Sequence, residues 1–349
     1  MANRFINMQL EIGQQIGNYT LEGRLGSGAS GEVWRANDGT RIVAMKFMNE
    51  MLINGTAADH YRRGLETEIK VLSLLRHPHI PALYDHDLDF ERPYLVMQYI
   101  GGQPYDRLIA SAEIFAIDLS KRLAVLERIA GAICYAHSAG IIHRDIKPAH
   151  ISGIDEPYLL DFSVALERNQ VAKTRQNVGT ILYLPPPHEP PDELSDHYSF
   201  AITAYEIIFG RHPIFTIDDT GNSVDALRRL AAARVHEQTW RLPSQLPRAE
   251  LPGDLYGAEL VALDRIFGRA LGGREERYTD LAHFVHDLKA ATLIPSNQPY
   301  LDSPLRLVYV PTFAAPPIPV EESYTLNEVA RAFRDTDHGR RPRPKPYAK

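Results

Sequence analysis

Three glycines, Gly26, Gly28 and Gly31, punctuate the run LGSGASGEVW at residues 25–34. Glycine lets backbone N–H groups approach anionic oxygens with no Cβ in the way. The spacing alone is shared with dinucleotide-binding turns, which lead from a strand into a helix. Here the glycines join two strand-like runs and Val33 follows two residues later, so the pattern describes a β-hairpin able to lie over phosphates. A plain glycine hairpin is the alternative. Further on, IVAMK at 42–46 places Lys46 on an alternating strand, with Val43 and Met45 on the opposite face. Such a lysine either points to solvent or grips a phosphate, and the second role needs a carboxylate partner. The helical run after it offers Glu66 and Glu68. Leu65, Ile69 and Leu72 mark its buried stripe. Glu68, three residues after Leu65 and four before Leu72, sits on that stripe, whereas Glu66 faces away. Glu68 is therefore the acid expected to point inward; a solvated edge residue is the alternative.

The stretch HRDIKPAH, residues 143–150, resembles the catalytic loop of a protein kinase in every residue but the last. Further landmarks follow in order: DFS at 161–163, GT at 179–180, DHYS at 196–199, and Arg277 in REERYTD. With the upstream glycines, Lys46 and Glu68, they make the chain similar to the Hanks-type Ser/Thr protein kinases that bacteria also carry, over roughly residues 18–293. Small-molecule kinases share the core of that fold but are not expected to combine HRDIKP with GTILY and DHYSF. The resemblance implies ATP and Mg²⁺ as cofactors and a protein Ser/Thr hydroxyl as acceptor. It implies that Asp145 accepts or orients the hydroxyl proton and that Lys147 touches the transferring phosphate. Asp161 would hold the metal, a hard cation that prefers carboxylate oxygen. Lys46, supported by Glu68, would hold the α- and β-phosphates. Gly26, Gly28, Gly31, Val33 and Ala44 would cover the nucleotide. YLVMQYIGG at 94–102 resembles the hinge, with Met97 behind the adenine and Gln98 to Ile100 offering backbone hydrogen bonds.

Four positions depart from the pattern. His150 replaces the metal-binding asparagine, offering nitrogen where the family offers a carbonyl oxygen; this favours Mn²⁺ as the alternative ion, unless the ring only packs or hydrogen-bonds. Ser163 replaces the glycine of the metal-binding triplet, narrowing its backbone choices. Ser152 stands where a large apolar side chain usually floors the adenine pocket. LPPPHEPP at 184–191 replaces Ala-Pro-Glu, whose acid pairs with the arginine aligned with Arg277; Glu189 is a possible substitute. The residues that carry charge in phosphoryl transfer are all kept. The leading reading is an active, autophosphorylating Ser/Thr kinase; the alternative is a pseudokinase serving as an interaction scaffold. Thr174, flanked by Lys173 and Arg175, is a candidate phosphosite, and Arg144 is the type of residue that would hold its phosphate.

The elements that must position these groups follow from periodicity. Short β-type runs surround one helical run, 57–76, up to about residue 100; beyond it, AVLERIAGAICYAHSAG and ELSDHYSFAITAYEIIFG show three- and four-residue apolar spacing. The expected fold is α+β and two-lobed: a small β-rich lobe at about 18–100 and a larger helical lobe at about 101–293. A lead-in at 1–17 precedes it, and a proline-rich tail at 294–349 follows, with strand-like LRLVYV, helix-like TLNEVARAFRD and a basic end. The tail is a candidate partner-binding segment. The chain has 349 residues, 44% of them hydrophobic, and a net charge of −6, which argues against a nucleic-acid-binding surface. No signal-peptide pattern and no apolar run near the ~20 residues of a membrane span are seen, so a cytoplasmic protein is expected. The single cysteine, Cys134, lies in an apolar helical run and reads as a buried structural thiol. His77 and His79 lack a metal-ligand pattern and read as structural.

Overall fold

The computed structural model describes residues 9–28, 31–49, 58–173, 179–186, 189–214, 240–248, 251–252, 255 and 257–292. The segments 294–349 and Thr174 lie outside these residues, as do the strand and helix expected at 305–310 and 325–335.

Strands dominate the first hundred residues. β1 (Gln15–Ile16), β2 (Tyr19–Gly28), β3 (Gly31–Asn37), β4 (Ile42–Met48), β5 (Leu83–Asp87) and β6 (Tyr94–Gln98) form one antiparallel sheet in the order β1-β2-β3-β4-β6-β5. Alternation along each strand sorts its two faces. Val43, Met45 and Phe47 pack on one side with Leu21, Trp34 and Val96. Lys46 takes the other side, where helix α1 (Ala58–Leu74) brings Leu65 and Ile69 against Leu95. The β2–β3 hairpin needs its last glycine: Gly31 has φ 156°, and a Cβ there would stand 1.9 Å from the Phe47 carbonyl oxygen.

The second lobe is helical. It contains α2 (Tyr105–Ala110), α3 (Leu119–Ser138), α4 (Glu193–Phe209), α5 (Gly257–Ala270) and α6 (Leu281–Thr292). Helix α4 runs through its centre, and every residue from Ser195 to Phe209 is buried. A helix enclosed on all sides must be apolar all round or have its polar groups partnered. Both hold here. Phe200 and Phe209 meet Phe267 and Phe284 of the flanking helices edge-on, while the Ser199 and Thr203 hydroxyls donate to the carbonyls of Tyr183 and Ser199. The Asp192 carboxylate caps the helix by accepting the Leu194 N–H at 3.1 Å. The architecture is thus the expected two-lobed one, a small sheet with one helix and a larger helical lobe. Cys134 is partly buried against the helical core, and burial raises its thiol pKa, so it is the inert thiol the sequence suggests. Among the described residues no helix is long and apolar enough to cross a membrane.

Glu206 on α4 is buried. Burial pushes its carboxyl from 4.5 up to about 8, although the Tyr183 hydroxyl donates to it at 2.7 Å. Its folded pKa lies above the unfolded value. The stability it contributes is therefore fully present below the unfolded pKa and is lost as pH rises through the folded one. Glu206→Gln keeps the shape and removes the charge. It should flatten the stability profile across this window, where one such group contributes a slope of up to about 1.4 kcal/mol per pH unit. Urea unfolding of both proteins at about pH 5 and about pH 9 checks this; equal pH slopes would exclude it.

Candidate active site

A loop between β7 (Ile141–Ile142) and β8 (Ile151–Ser152) carries Arg144, Asp145, Lys147 and His150. A second loop, between β9 (Tyr158–Leu159) and β10 (Leu166–Glu167), carries Asp161 and Ser163. Pairing of β10 with β7 and of β9 with β8 sets the two loops side by side. The first loop is held from below by Asp196 of α4, a fully buried carboxylate. Asp196 accepts the N–H of His143 and of Arg144, each at 2.8 Å, and also bonds the His137 ring at 2.8 Å. Arg144 sits at φ 70°, a left-handed conformation that costs a non-glycine residue roughly 1–2 kcal/mol. Charge-assisted bonds to a rigid carboxylate offset that cost. Asp161 is likewise left-handed, at φ 61°.

The charged side chains converge. Lys46 Nζ lies 2.6 Å from Glu68 Oε2 and 3.0 Å from Asp161 Oδ1, joining the sheet, α1 and the second loop in one contact. Glu68 is buried as its place on the stripe predicts, while Glu66 pairs with Arg62 at the surface. Burial opposes charge on Lys46, but Asp161 and Glu68 hold its pKa above the ordinary lysine value. Burial would raise Asp161 as well; Lys46 keeps it well below the usual carboxylate range. In the first loop Lys147 Nζ donates to Asp145 Oδ2 at 2.7 Å and to the Thr180 hydroxyl at 2.6 Å, and the Thr180 N–H donates to Asp145 Oδ1 at 2.7 Å. Burial again opposes ionisation, but His150, Lys147 and Thr180 together lower the Asp145 pKa. Gly179 must be glycine for this approach. Its φ is 134°, and a Cβ there would lie 2.3 Å from the Arg144 carbonyl oxygen.

His150 is placed between the two aspartates. Its Nδ1 bonds the Asp145 backbone carbonyl at 2.9 Å, and its Nε2 lies 3.6 Å from Asp161 Oδ2. Burial pushes its pKa down to about 4, overriding the opposite pull of Asp161, so the ring is neutral near pH 7. Asp161 spends Oδ1 on Lys46 and on the Ser163 N–H. Its Oδ2, facing the His150 nitrogen, is a donor suited to a divalent cation. Among the described residues no group of three or more His, Cys, Asp or Glu is arranged to hold a metal alone. A cation here would take its remaining ligands from outside these side chains.

Other expectations resolve as follows. Ser163 rests against α1 where Gly64 leaves room: a Cβ on Gly64 would lie 3.4 Å from the Ser163 carbonyl oxygen. Ser152 is buried in β8. Ala44 pairs with Met97 across β4 and β6. The Gln98 N–H donates to the Ala82 carbonyl at 2.9 Å. Tyr99 and Ile100 follow beyond the end of β6, free of the ladder. Gly26 and Val33 pair within the hairpin, as do Gly28 and Gly31. Thr174 has no described position relative to Arg144. Two supporting residues escaped assignment from sequence. Asp196 and Thr180 sit within the DHYS and GT landmarks, yet nothing in the letters says what they hold. Glu189, the possible substitute for the missing acid, forms a two-pronged ion pair with Arg277, at 2.5 and 2.7 Å, and Arg277 is buried.

The protein kinase domain model matches residues 19–288. The serine/threonine-protein kinase Pkn1 of Myxococcus xanthus is 29% identical over 296 residues, covering 80% of this chain and 39% of Pkn1. PknD of Mycobacterium tuberculosis is 28% identical over 290 residues, covering 79% of this chain and 40% of PknD. The chain thus spans about two fifths of the length of these relatives. The fold resembles the crystal structure of the Mycobacterium tuberculosis PknI kinase domain, with a TM-score of 0.56 at 23% identity, covering 81% of this chain and all of that one.

The Glu189–Arg277 pair yields a stability test. Removing one partner leaves a buried charge unpaired, a loss on the order of 3–5 kcal/mol. Glu189→Ala should lower the urea midpoint accordingly, and an unchanged midpoint would show that the pair does not anchor this segment.

Proposed function

The chain belongs to the protein kinase family, and from that premise we propose that it transfers the γ-phosphate of ATP to Ser and Thr hydroxyls of proteins, itself included. The observation that carries this reading is Lys46 touching Glu68 and Asp161 together, with Asp145 and Lys147 assembled on the neighbouring loop. A scaffold needs none of these contacts, and keeping ammonium and carboxylates buried is costly without a task for them.

The residues divide the work. The acceptor hydroxyl approaches Asp145, whose lowered pKa keeps it ionised and able to take the hydroxyl proton. The hydroxyl oxygen bonds to the γ-phosphorus as the bond to the β–γ bridging oxygen breaks, and ADP leaves. Lys147, bonded to both Asp145 and Thr180, lies beside that path and neutralises the moving phosphoryl oxygens. Lys46 orients the α- and β-phosphates from the sheet, and Glu68 keeps its ammonium in place. The glycines of the β2–β3 hairpin leave backbone N–H groups accessible above, Val33 and Ala44 line the base, and Met97 closes the pocket behind it. Asp161 would hold the divalent cation, Mg²⁺ or Mn²⁺, which supplies charge neutralisation to the phosphates when bound. We take the catalytic unit as residues 18–293 and the 294–349 segment as a partner-binding tail. Its work belongs in the cytoplasm, where ATP and protein substrates are at hand.

Incubation of the folded protein with γ-labelled ATP and a divalent cation should label it and an added protein substrate on Ser and Thr. Asp145→Asn should reduce the rate by about 10²- to 10⁴-fold, the span of a lost general base. Absence of label from folded wild type, or equal label in the variant, would return the chain to the scaffold reading.

A further inference from the structure

His150 stands where the resemblance expects an asparagine, and its surroundings define what the ring can do. The Asp145 carbonyl carries no hydrogen, so the 2.9 Å contact requires that His150 Nδ1 be the protonated nitrogen. That contact leaves Nε2 as the ring nitrogen open to a cation. The nearest carboxylate oxygen to it is Asp161 Oδ2, at 3.6 Å. That is too long for a hydrogen bond. Nε2 and Oδ2 therefore face each other as two potential donor atoms to a cation, with no hydrogen bond between them. Two donors about 2.1 Å from one cation stand roughly 3 Å apart at a right angle, and farther as the angle opens. The observed 3.6 Å lies in that range, at an angle of about 120°. A ring nitrogen that ligates metal usually has its other N–H fixed by a carbonyl or carboxylate, as Asp145 does here.

We infer that His150 Nε2 and Asp161 Oδ2 together ligate a divalent cation, making a mixed nitrogen–oxygen site that prefers Mn²⁺ to Mg²⁺. The inference rests on the nucleotide-binding reading above, since phosphate oxygens complete the coordination. Mg²⁺ is a hard ion that favours all-oxygen surroundings. Imidazole nitrogen raises affinity for first-row transition ions relative to Mg²⁺. The ring is therefore a selector, in place of an asparagine oxygen that would accept Mg²⁺ readily. The neighbouring histidine does not compete for this role: the His143 Nε2 bonds the Leu160 carbonyl at 3.1 Å, and its Nδ1 accepts the Asp145 N–H at 3.3 Å.

The test is spectroscopic. Full-length protein is loaded with Mn²⁺ and a non-hydrolysable ATP analogue, and the pulsed electron paramagnetic resonance of the bound Mn²⁺ is recorded. Nitrogen modulation is expected on the Mn²⁺ echo. It should change from the ¹⁴N to the ¹⁵N pattern when the protein is made with ¹⁵N-labelled histidine. His150→Asn should lose the modulation while still binding the analogue, and less Mg²⁺ should then displace its Mn²⁺. The isotope arm uses wild-type protein and so does not depend on the variant folding. Mn²⁺ and analogue bound with no histidine modulation would overturn the inference and leave the kinase reading standing. Failure of wild type to bind the analogue with either ion would overturn both.

Discussion

One buried carboxylate holds the working face of this protein in shape. Asp196 is fully buried, and the chain supplies its partners: two consecutive backbone N–H groups of the catalytic loop and a histidine ring. Two successive amides can meet the same carboxylate only if the backbone turns sharply between them, which is why Arg144 adopts a left-handed conformation. The turn in turn fixes where Asp145 and Lys147 emerge. Helix α4 is enclosed on every side, so this grip is anchored to the buried central helix of the larger lobe.

The smaller lobe contributes through a different kind of contact. Lys46 comes from a strand, Glu68 from a helix and Asp161 from a loop of the other lobe, yet one ammonium touches both acids. Hydrophobic packing positions the strand and helix, and the charge contact then selects one arrangement of the lobes among those the packing allows. Asp145 and its lysine are tied to Thr180 by the same logic at shorter range. Both aspartates are kept ionised despite burial because a cation is in contact with each.

Much of this was legible in the letters. Helical spacing alone separated Glu68 from Glu66, and strand alternation alone put Lys46 opposite Val43 and Met45. The catalytic loop was recognisable because its residues are contiguous. What the letters withheld was everything that depends on distance across the fold. Asp196 could be seen but not its two amide partners, which lie more than fifty residues earlier. Glu189 sits among prolines that mark a turn, and only the folded path brings it to Arg277, 88 residues later. The role of His150 depended on which ring nitrogen was engaged, a matter no sequence pattern encodes.

The bare face of α1 at Gly64 has a mechanical consequence. The helix that carries Glu68 turns this glycine to the loop that carries Asp161, and a Cβ added there would make ordinary van der Waals contact, 3.4 Å from the Ser163 carbonyl oxygen. Lys46 touches both Glu68 and Asp161. A swing of α1 away from the sheet would uncouple Glu68 from Lys46 and open the space beside Ser163 in the same stroke. Helix placement and metal-loop placement thus behave as one lever, with a single ammonium as its pivot.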